Sequence, residues 1–282
     1  MGTQPSGADR ALAALDAWPA AHAAAAVVGP AGVLATRGEI DRIFRLASVT
    51  KALFALAVLV AVEEEALSLD EQLAPHAFPG VTMRHLLSHA SGIRPQQRTS
   101  ICAPGVRRLY SNAGYGLAGD WLARATGMPA IEYFHQSVVG MLGLRDTALH
   151  GSPAYAATST VADLSIVLGQ LLAPGRLLNR ATLDDATALA FPGLRGVVPG
   201  FGMHDPCDWS TGFELRSAKS PHWTGSRNSP ATFGHFGQSG TMFWIDPAAR
   251  LGLVALSDQQ FGPWAARAWP ALSDAVLEQF VS

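Results

Sequence analysis

Ser48-Val49-Thr50-Lys51, running directly into the apolar stretch Ala52 to Val62, decides how the rest of this chain is read. On a helix, residues three apart share a face, so the Ser48 hydroxyl and the Lys51 amine become neighbours. A serine attacks a carbonyl only when a base removes its proton, and an amine one turn away is placed to do so. Lys51 and Lys219 are the only lysines in the chain. Arginine stays protonated and cannot act as a base. The pattern predicts a helix from about Ser48 to Glu65, apolar at nearly every position and therefore buried on all sides. Its first N–H groups would lie at the positive end of the helix dipole, where an oxyanion is stabilised and a buried amine loses its proton more readily. The alternative reading makes Ser48 an ordinary N-cap and Lys51 a solvated residue, although a charge ahead of so long an apolar run is oddly placed for solvent.

Two more clusters carry chemistry. In Tyr110-Ser111-Asn112, a tyrosine near a lysine ammonium loses its proton more easily and serves as a general base. The asparagine two residues on can bond both a lysine and a substrate carbonyl. Gly234-His235-Phe236-Gly237-Gln238-Ser239-Gly240 lies on or beside a strand pattern. Its glycines let backbone approach a ligand closely, and a strand N–H can complete an oxyanion hole. Each cluster also has a structural reading: a loop tyrosine capped by its neighbour, and a bulged edge strand with a buried histidine.

The surrounding pattern predicts an α+β fold. Ala8 to Leu15 reads as a short helix closed by Trp18-Pro19. Ala24 to Val28 and Val33 to Ala35 form a hairpin across Gly29-Pro30-Ala31-Gly32. From about Leu69 to Ala190 the texture is mostly helical, with helices at Met83–His89, Ala113–Thr126 and Val161–Leu172. Phe233 to Ile245 and Leu251 to Leu256 read as strands joined by Asp246-Pro247, and a last helix runs from about Ala265 to Phe280. Strands from the two chain ends would share an antiparallel sheet, with helices flanking it, in one domain spanning 1–282.

Composition excludes several classes. With 282 residues, 49% hydrophobic and 15% charged, the chain is globular and can bury a substantial core. A formal charge of −2 gives no electrostatic reason to expect nucleic acid or an anionic membrane as partner. Ala52 to Val62 is too short to cross a bilayer. Cys102 and Cys207 are expected as free thiols. Met1 to Arg10 lacks the basic-then-apolar order of a secretory signal, so a cytoplasmic location is the expectation. His85 and His89 have the spacing of a helical metal pair, but no glutamate lies between them and no third ligand is evident. Neither metal nor cofactor is expected. Trp209, Trp223 and Trp244 are open to two readings, the lining of an apolar cleft or the core.

In this order, Ser-x-x-Lys at 48–51, Tyr-x-Asn at 110–112 and His-x-Gly at 235–237 resemble the three motifs of the penicillin-recognising serine hydrolases. The nearest branch is the class C β-lactamase-related family, which includes esterases and D-amino-acid peptidases. Thr82 to Ile93 is similar to that family's "T-x-x-x-L-L-x-H-x-S-G-L" segment, Leu142 to Thr147 to its "L-G-M-x-x-T", and Ser159 to Leu164 to its "S-T-x-x-D-L". The resemblance covers about Phe44 to Leu256. It implies a β-lactamase/transpeptidase-like fold, Ser48 as acylated nucleophile, and Lys51 and Tyr110 sharing base and acid duties. It further implies Asn112 orienting Lys51 and substrate, His235 hydrogen-bonding near Tyr110, Gly237 allowing close approach, and the N–H groups of Ser48 and Gln238 as oxyanion hole. The β-lactamases proper usually carry Lys-Thr-Gly where this chain has His235-Phe236-Gly237. A neutral histidine supplies no fixed cation for the acidic group of a β-lactam, and Phe236 replaces a small hydroxyl residue. A small ester is therefore the expected substrate, ahead of a β-lactam or a D-peptide amide. A sensor-like protein that acylates without turnover is the reading of another class.

Overall fold

Alternate residues along the sheet strands belong to two different hydrophobic cores, and this governs the architecture. Ala24, Ala26, Val28, Phe243, Ile245, Val254 and Leu256 face one core. Ala25, Val27, Met242, Trp244, Leu253 and Ala255 face the other. Because successive side chains of a strand point to opposite faces, a sheet covered on both sides must be apolar at every position. That is why these strands read as continuous apolar runs and not as alternation.

The computed structural model describes residues 7–74 and 76–281. Part of the polar Met1–Arg10 stretch lies outside the described residues. The main sheet has six strands in the spatial order Glu214–Leu215, Phe233–Gly237, Thr241–Asp246, Leu251–Ser257, Ala23–Gly29 and Gly32–Arg37. All neighbours are antiparallel. The two ends of the chain meet where Ala23–Gly29 pairs with Leu251–Ser257. Helices Val49–Glu63 and Val161–Leu172 contribute to the first core. The second is closed by the N-terminal residues Ala11, Leu12 and Leu15 and by the Pro263–Phe280 helix. The fold is α+β, as expected, with the sheet built from the chain ends.

Several boundaries differ from expectation for identifiable reasons. Phe233 to Ile245 is two strands, not one: the chain reverses at 238–240, where Gly240 takes φ +81°, a left-handed turn conformation that glycine adopts without strain. The N-terminal helix ends at Leu12 and tightens into a 3-10 turn over Ala13–Ala17. The Met83 helix stops at Leu87, and His89 lies beyond it with φ +60°.

The Val49–Glu63 helix runs through the first core, and every residue from Val49 to Ala61 is buried. Phe54 on this helix is 0% exposed. Phe54→Ala is expected to cost about 3–5 kcal/mol, the usual loss for a large buried ring. Thermal unfolding followed by circular dichroism should show Tm lowered by roughly 10 °C. An unchanged Tm would show that the core collapses around the missing ring.

Candidate active site

Ser48 stands immediately before the buried helix, and its backbone is set by an unusual neighbour. Ala47 adopts φ +46°, a left-handed conformation that is strained for a residue with a Cβ. Leu46 is fixed from both sides: its N–H donates to the Ala157 carbonyl at 2.9 Å and its own carbonyl accepts from Thr241 Oγ1 at 2.9 Å. Ser48 makes no side-chain capping bond to the helix, so the N-cap reading fails and its hydroxyl is left for other partners.

Lys51 is 0% exposed, and its amine has three oxygen neighbours. It donates to Asn112 Oδ1 at 2.7 Å and to the Ala154 carbonyl at 2.7 Å, and lies 3.3 Å from Ser48 Oγ. The two shorter contacts are to oxygens that can only accept. A neutral amine has two N–H groups, which these carbonyls occupy, and its lone pair is then free for the Ser48 hydroxyl proton. Burial pushes the Lys51 pKa well below its usual value, which favours that neutral state.

Asn112 is the first residue of the Asn112–Thr126 helix. Ser111 caps that helix, accepting from Gly114 N–H at 2.8 Å, while its own hydroxyl donates to the Arg94 carbonyl at 2.7 Å. Ala154 is held because Ala157 N–H donates to Thr50 Oγ1 at 3.0 Å, tying this loop to the start of the Lys51 helix. The Ser48 side chain lies close enough to Tyr110 to favour ionisation of its phenol, and the Lys51 nitrogen lies 4.7 Å from the Tyr110 ring centre. Burial pushes the Tyr110 pKa well above its usual value, only partly offset by Ser48. The expectation of an easily ionised Tyr110 is thereby corrected. Desolvation, with the Glu214 charge added to it, outweighs the influence of Ser48, and the phenol rests protonated.

The third segment lies against the first. A Cβ on Gly237 would come within 2.2 Å of the Leu46 carbonyl and 3.2 Å of Ala47, so only glycine lets this strand approach the residues before Ser48. Gln238 then occupies the exposed turn that follows. His235 faces the site, but its Nδ1 bonds the Phe236 carbonyl at 2.8 Å, and its Nε2 has no hydrogen-bond partner. The expected hydrogen bond near Tyr110 is therefore absent, and the two rings lie 6.1 Å apart. Phe236 points to the opposite face of the sheet, packing at 5.3–5.9 Å on Phe261, Phe201, Trp223 and Trp269. Its bulk is used in the second core, not in the cleft. Two cavities flank the centre. One of about 510 Å³ includes Tyr110, Leu109, Arg107, Arg195, Val197 and Met203, and one of about 430 Å³ includes Ala47, Gln238, Tyr155 and Arg45.

Trp209, open to both the cleft and the core reading, belongs to the second core and also packs on His89 at 4.7 Å, His235 at 5.6 Å and Tyr110 at 6.0 Å; Trp223 and Trp244 lie in the same core. Arg108, just before Leu109 and Tyr110, donates to the carbonyls of Ser88, Cys207, Ala190 and Phe191. His85 and His89 separate: His85 stacks on Phe191 at 4.1 Å, and His89 stacks on Tyr110. Among the described residues no group of three or more His, Cys, Asp or Glu could hold a metal ion, and no helix is long and apolar enough to cross a membrane. Cys102 and Cys207 are free thiols.

A family model described as β-lactamase matches residues 20–277. A β-lactamase from Mycobacterium bovis is 49% identical with a TM-score of 0.93, the match covering 96% of this chain and all of that one. EstCE1, a hydrolase with promiscuous acyltransferase activity, shares the fold at 18% identity and TM-score 0.79, over 96% of this chain and 98% of its own. The D-alanyl-D-alanine carboxypeptidase/endopeptidase AmpH of Escherichia coli is 26% identical over 151 residues, 42% of this chain and 39% of that protein. The N-acetylmuramyl-L-alanine amidase of Bacillus subtilis is 23% identical over 56% of this chain and 46% of that protein. The chain thus spans less than half the length of these curated relatives.

Burial, reinforced by the nearby Lys51 charge, pushes the His235 pKa down to about 3. The unfolded chain therefore takes up a proton near pH 6.5 that the folded chain refuses, so His235 lowers stability as pH falls from about 6.5 towards 3. Between pH 7 and pH 4 the wild type should lose about 3 kcal/mol more stability than His235→Gln, as measured by urea unfolding. Equal losses in the two proteins would show that His235 titrates like a solvated histidine.

Proposed function

The chain belongs to the β-lactamase family of serine hydrolases, and on that premise we propose that it hydrolyses small esters through an acyl-enzyme on Ser48. The observation that carries this reading is the Lys51 amine, whose two carbonyl acceptors leave its lone pair to Ser48 Oγ. Lys51 takes the Ser48 proton as Oγ bonds the substrate carbonyl carbon. The carbonyl electron pair moves onto oxygen, where the N–H groups of Ser48 and Gln238 stabilise it. Collapse breaks the bond to the leaving alkoxide, which takes the Tyr110 phenol proton, and the Lys51 ammonium restores that proton to Tyr110. Deacylation runs the same transfers backwards with water replacing the alcohol. Tyr110 passes its proton to Lys51 as it accepts the water proton, the Lys51 ammonium returns a proton to the departing Ser48 oxygen, and the acid departs. Asn112 keeps Lys51 aimed throughout.

Ester is favoured over β-lactam because His235, held neutral, supplies no cation for a β-lactam carboxylate. β-Lactam hydrolysis is the second reading, favoured by the 49% identity to a protein described as a β-lactamase. A cytoplasmic setting and a D-peptide amide substrate remain secondary parts of the proposal.

With a short-chain p-nitrophenyl ester, Ser48→Ala and Lys51→Ala should each lower kcat/KM by at least about a thousandfold. A chromogenic cephalosporin should be turned over more slowly than the ester by the wild type. An undiminished ester rate in Ser48→Ala would sink the assignment, and faster cephalosporin turnover would move it to the second reading. The wild-type rate should rise with pH as Lys51 deprotonates and level off well before pH 10, since the lowered pKa puts the amine in its basic form early. A profile still climbing at pH 10 would show an ordinary, charged Lys51.

A further inference from the structure

His89 touches the Tyr110 segment at three places. Its carbonyl accepts from Leu109 N–H at 2.8 Å, its ring Nδ1 accepts from Ser111 N–H at 3.1 Å, and its ring lies 4.4 Å from that of Tyr110. The residues before and after Tyr110 are thus both pinned to one side chain and its own backbone. The side chain is itself immobilised: 1% exposed, packed on Tyr115 at 5.4 Å and Trp209 at 4.7 Å, with the backbone turned to φ +60° just past a helix end. Such a conformation is uncommon for a residue other than glycine, and it persists where surrounding contacts over-determine it. Here it brings the ring back over Tyr110.

The hydrogen bond also fixes the chemical form of the ring. An N–H donor needs a lone pair, so Nδ1 carries no proton, and the neutral ring must carry it on Nε2. A protonated His89 would have N–H groups at both positions and would lose the bond to Ser111.

We propose that His89 is a positioning residue for Tyr110, a splint whose Nδ1 lone pair and carbonyl hold Leu109 and Ser111 so that the phenol stays on Ser48. This rests on the role given to Tyr110 in the proposed hydrolysis. His89 touches no reacting atom and acts only through Tyr110. A displacement of order 1 Å in a catalytic group can cost about a hundredfold in rate, which sets the expected scale.

The test is a double-mutant cycle in the ester assay. His89→Ala should lower kcat about a hundredfold with KM within about threefold. If the loss acts through Tyr110, His89→Ala/Tyr110→Phe should be no slower than Tyr110→Phe alone, whereas independent damage to the fold would multiply the two losses. His89→Asn should recover kcat to within about tenfold of wild type, because Asn Oδ1 replaces the Nδ1 acceptor and asparagine tolerates positive φ. Multiplied losses, or His89→Asn as slow as His89→Ala, would overturn the proposal. Should His89→Ala fail to fold, His89→Gln, whose acceptor lies one bond too far, takes its place in the cycle with the same outcomes. Independently of activity, long-range ¹H–¹⁵N spectra of the wild type at pH 7 should show His89 as the Nε2–H tautomer, and an Nδ1–H signal would refute it. A fully active Tyr110→Phe would instead remove Tyr110 from the reaction while leaving the tautomer result standing.

Discussion

The buried amine of Lys51 is the constraint on which the rest of the site depends. An ammonium held away from water is costly unless paired, and the groups around this one are carbonyl oxygens, a hydroxyl and aromatic faces. Among the described residues no carboxylate hydrogen-bonds it. Each polar contact therefore has to be placed, and the backbone irregularities of the region follow from that placing. The strained turn at Ala47 puts Ser48 over Lys51. The cap by Ser111 puts Asn112 at a helix start, facing the amine. The missing Cβ at Gly237 lets a sheet strand close the far side.

Lys219 shows the opposite arrangement in the same molecule. It is also buried, but it forms an ion pair with Glu214 at 2.8 Å and donates to the Asp208 carbonyl at 2.8 Å. Glu214 in turn accepts from Trp223 Nε1 at 2.6 Å and lies 3.1 Å from His222 Nε2. Burial alone would raise the Glu214 pKa, but Lys219 and His222 hold it far below the usual carboxylate range. The carboxylate-paired Lys219 serves to staple the segment before the Phe233 strand. A lysine with only neutral acceptors is the one whose proton can leave.

Much of this was legible in the sequence, and the exceptions have a common cause. Lys51, Tyr110 and Asn112 were visible because each is a rare chemical type, and Ser48 because it stands one helical turn from one of only two lysines. The strands of the sheet were legible as apolar runs. Phe236 was misjudged because its chemical type was weighed without the strand alternation that sends its side chain to the other face from His235. His89 was visible only as half of a metal-like spacing, since nothing local announces that the helix ends at Leu87. The Ala154 carbonyl had no signature at all, because any residue supplies one. Arg108 acts through contacts far along the chain, and such contacts leave no periodic trace.

The rings around the amine complete the argument. His89, His235, Tyr110 and Trp209 form a closed aromatic wall beside Lys51. Burial is the main cause that keeps both histidines neutral, and the charge of Lys51 is the next. The influence is mutual: a proton on either ring would raise the cost of one on Lys51, and a proton on Lys51 disfavours both. A proton in this cluster is therefore in competition among the three groups. Lys51 is the group that can use it, because its two carbonyl acceptors and the Ser48 oxygen satisfy an ammonium formed during reaction, whereas the second nitrogens of His89 and His235 have no such partners. The wall thus does more than fill space. It disfavours protons on the two histidines and so leaves Lys51, one turn from Ser48, as the group to take the Ser48 proton in the proposed reaction.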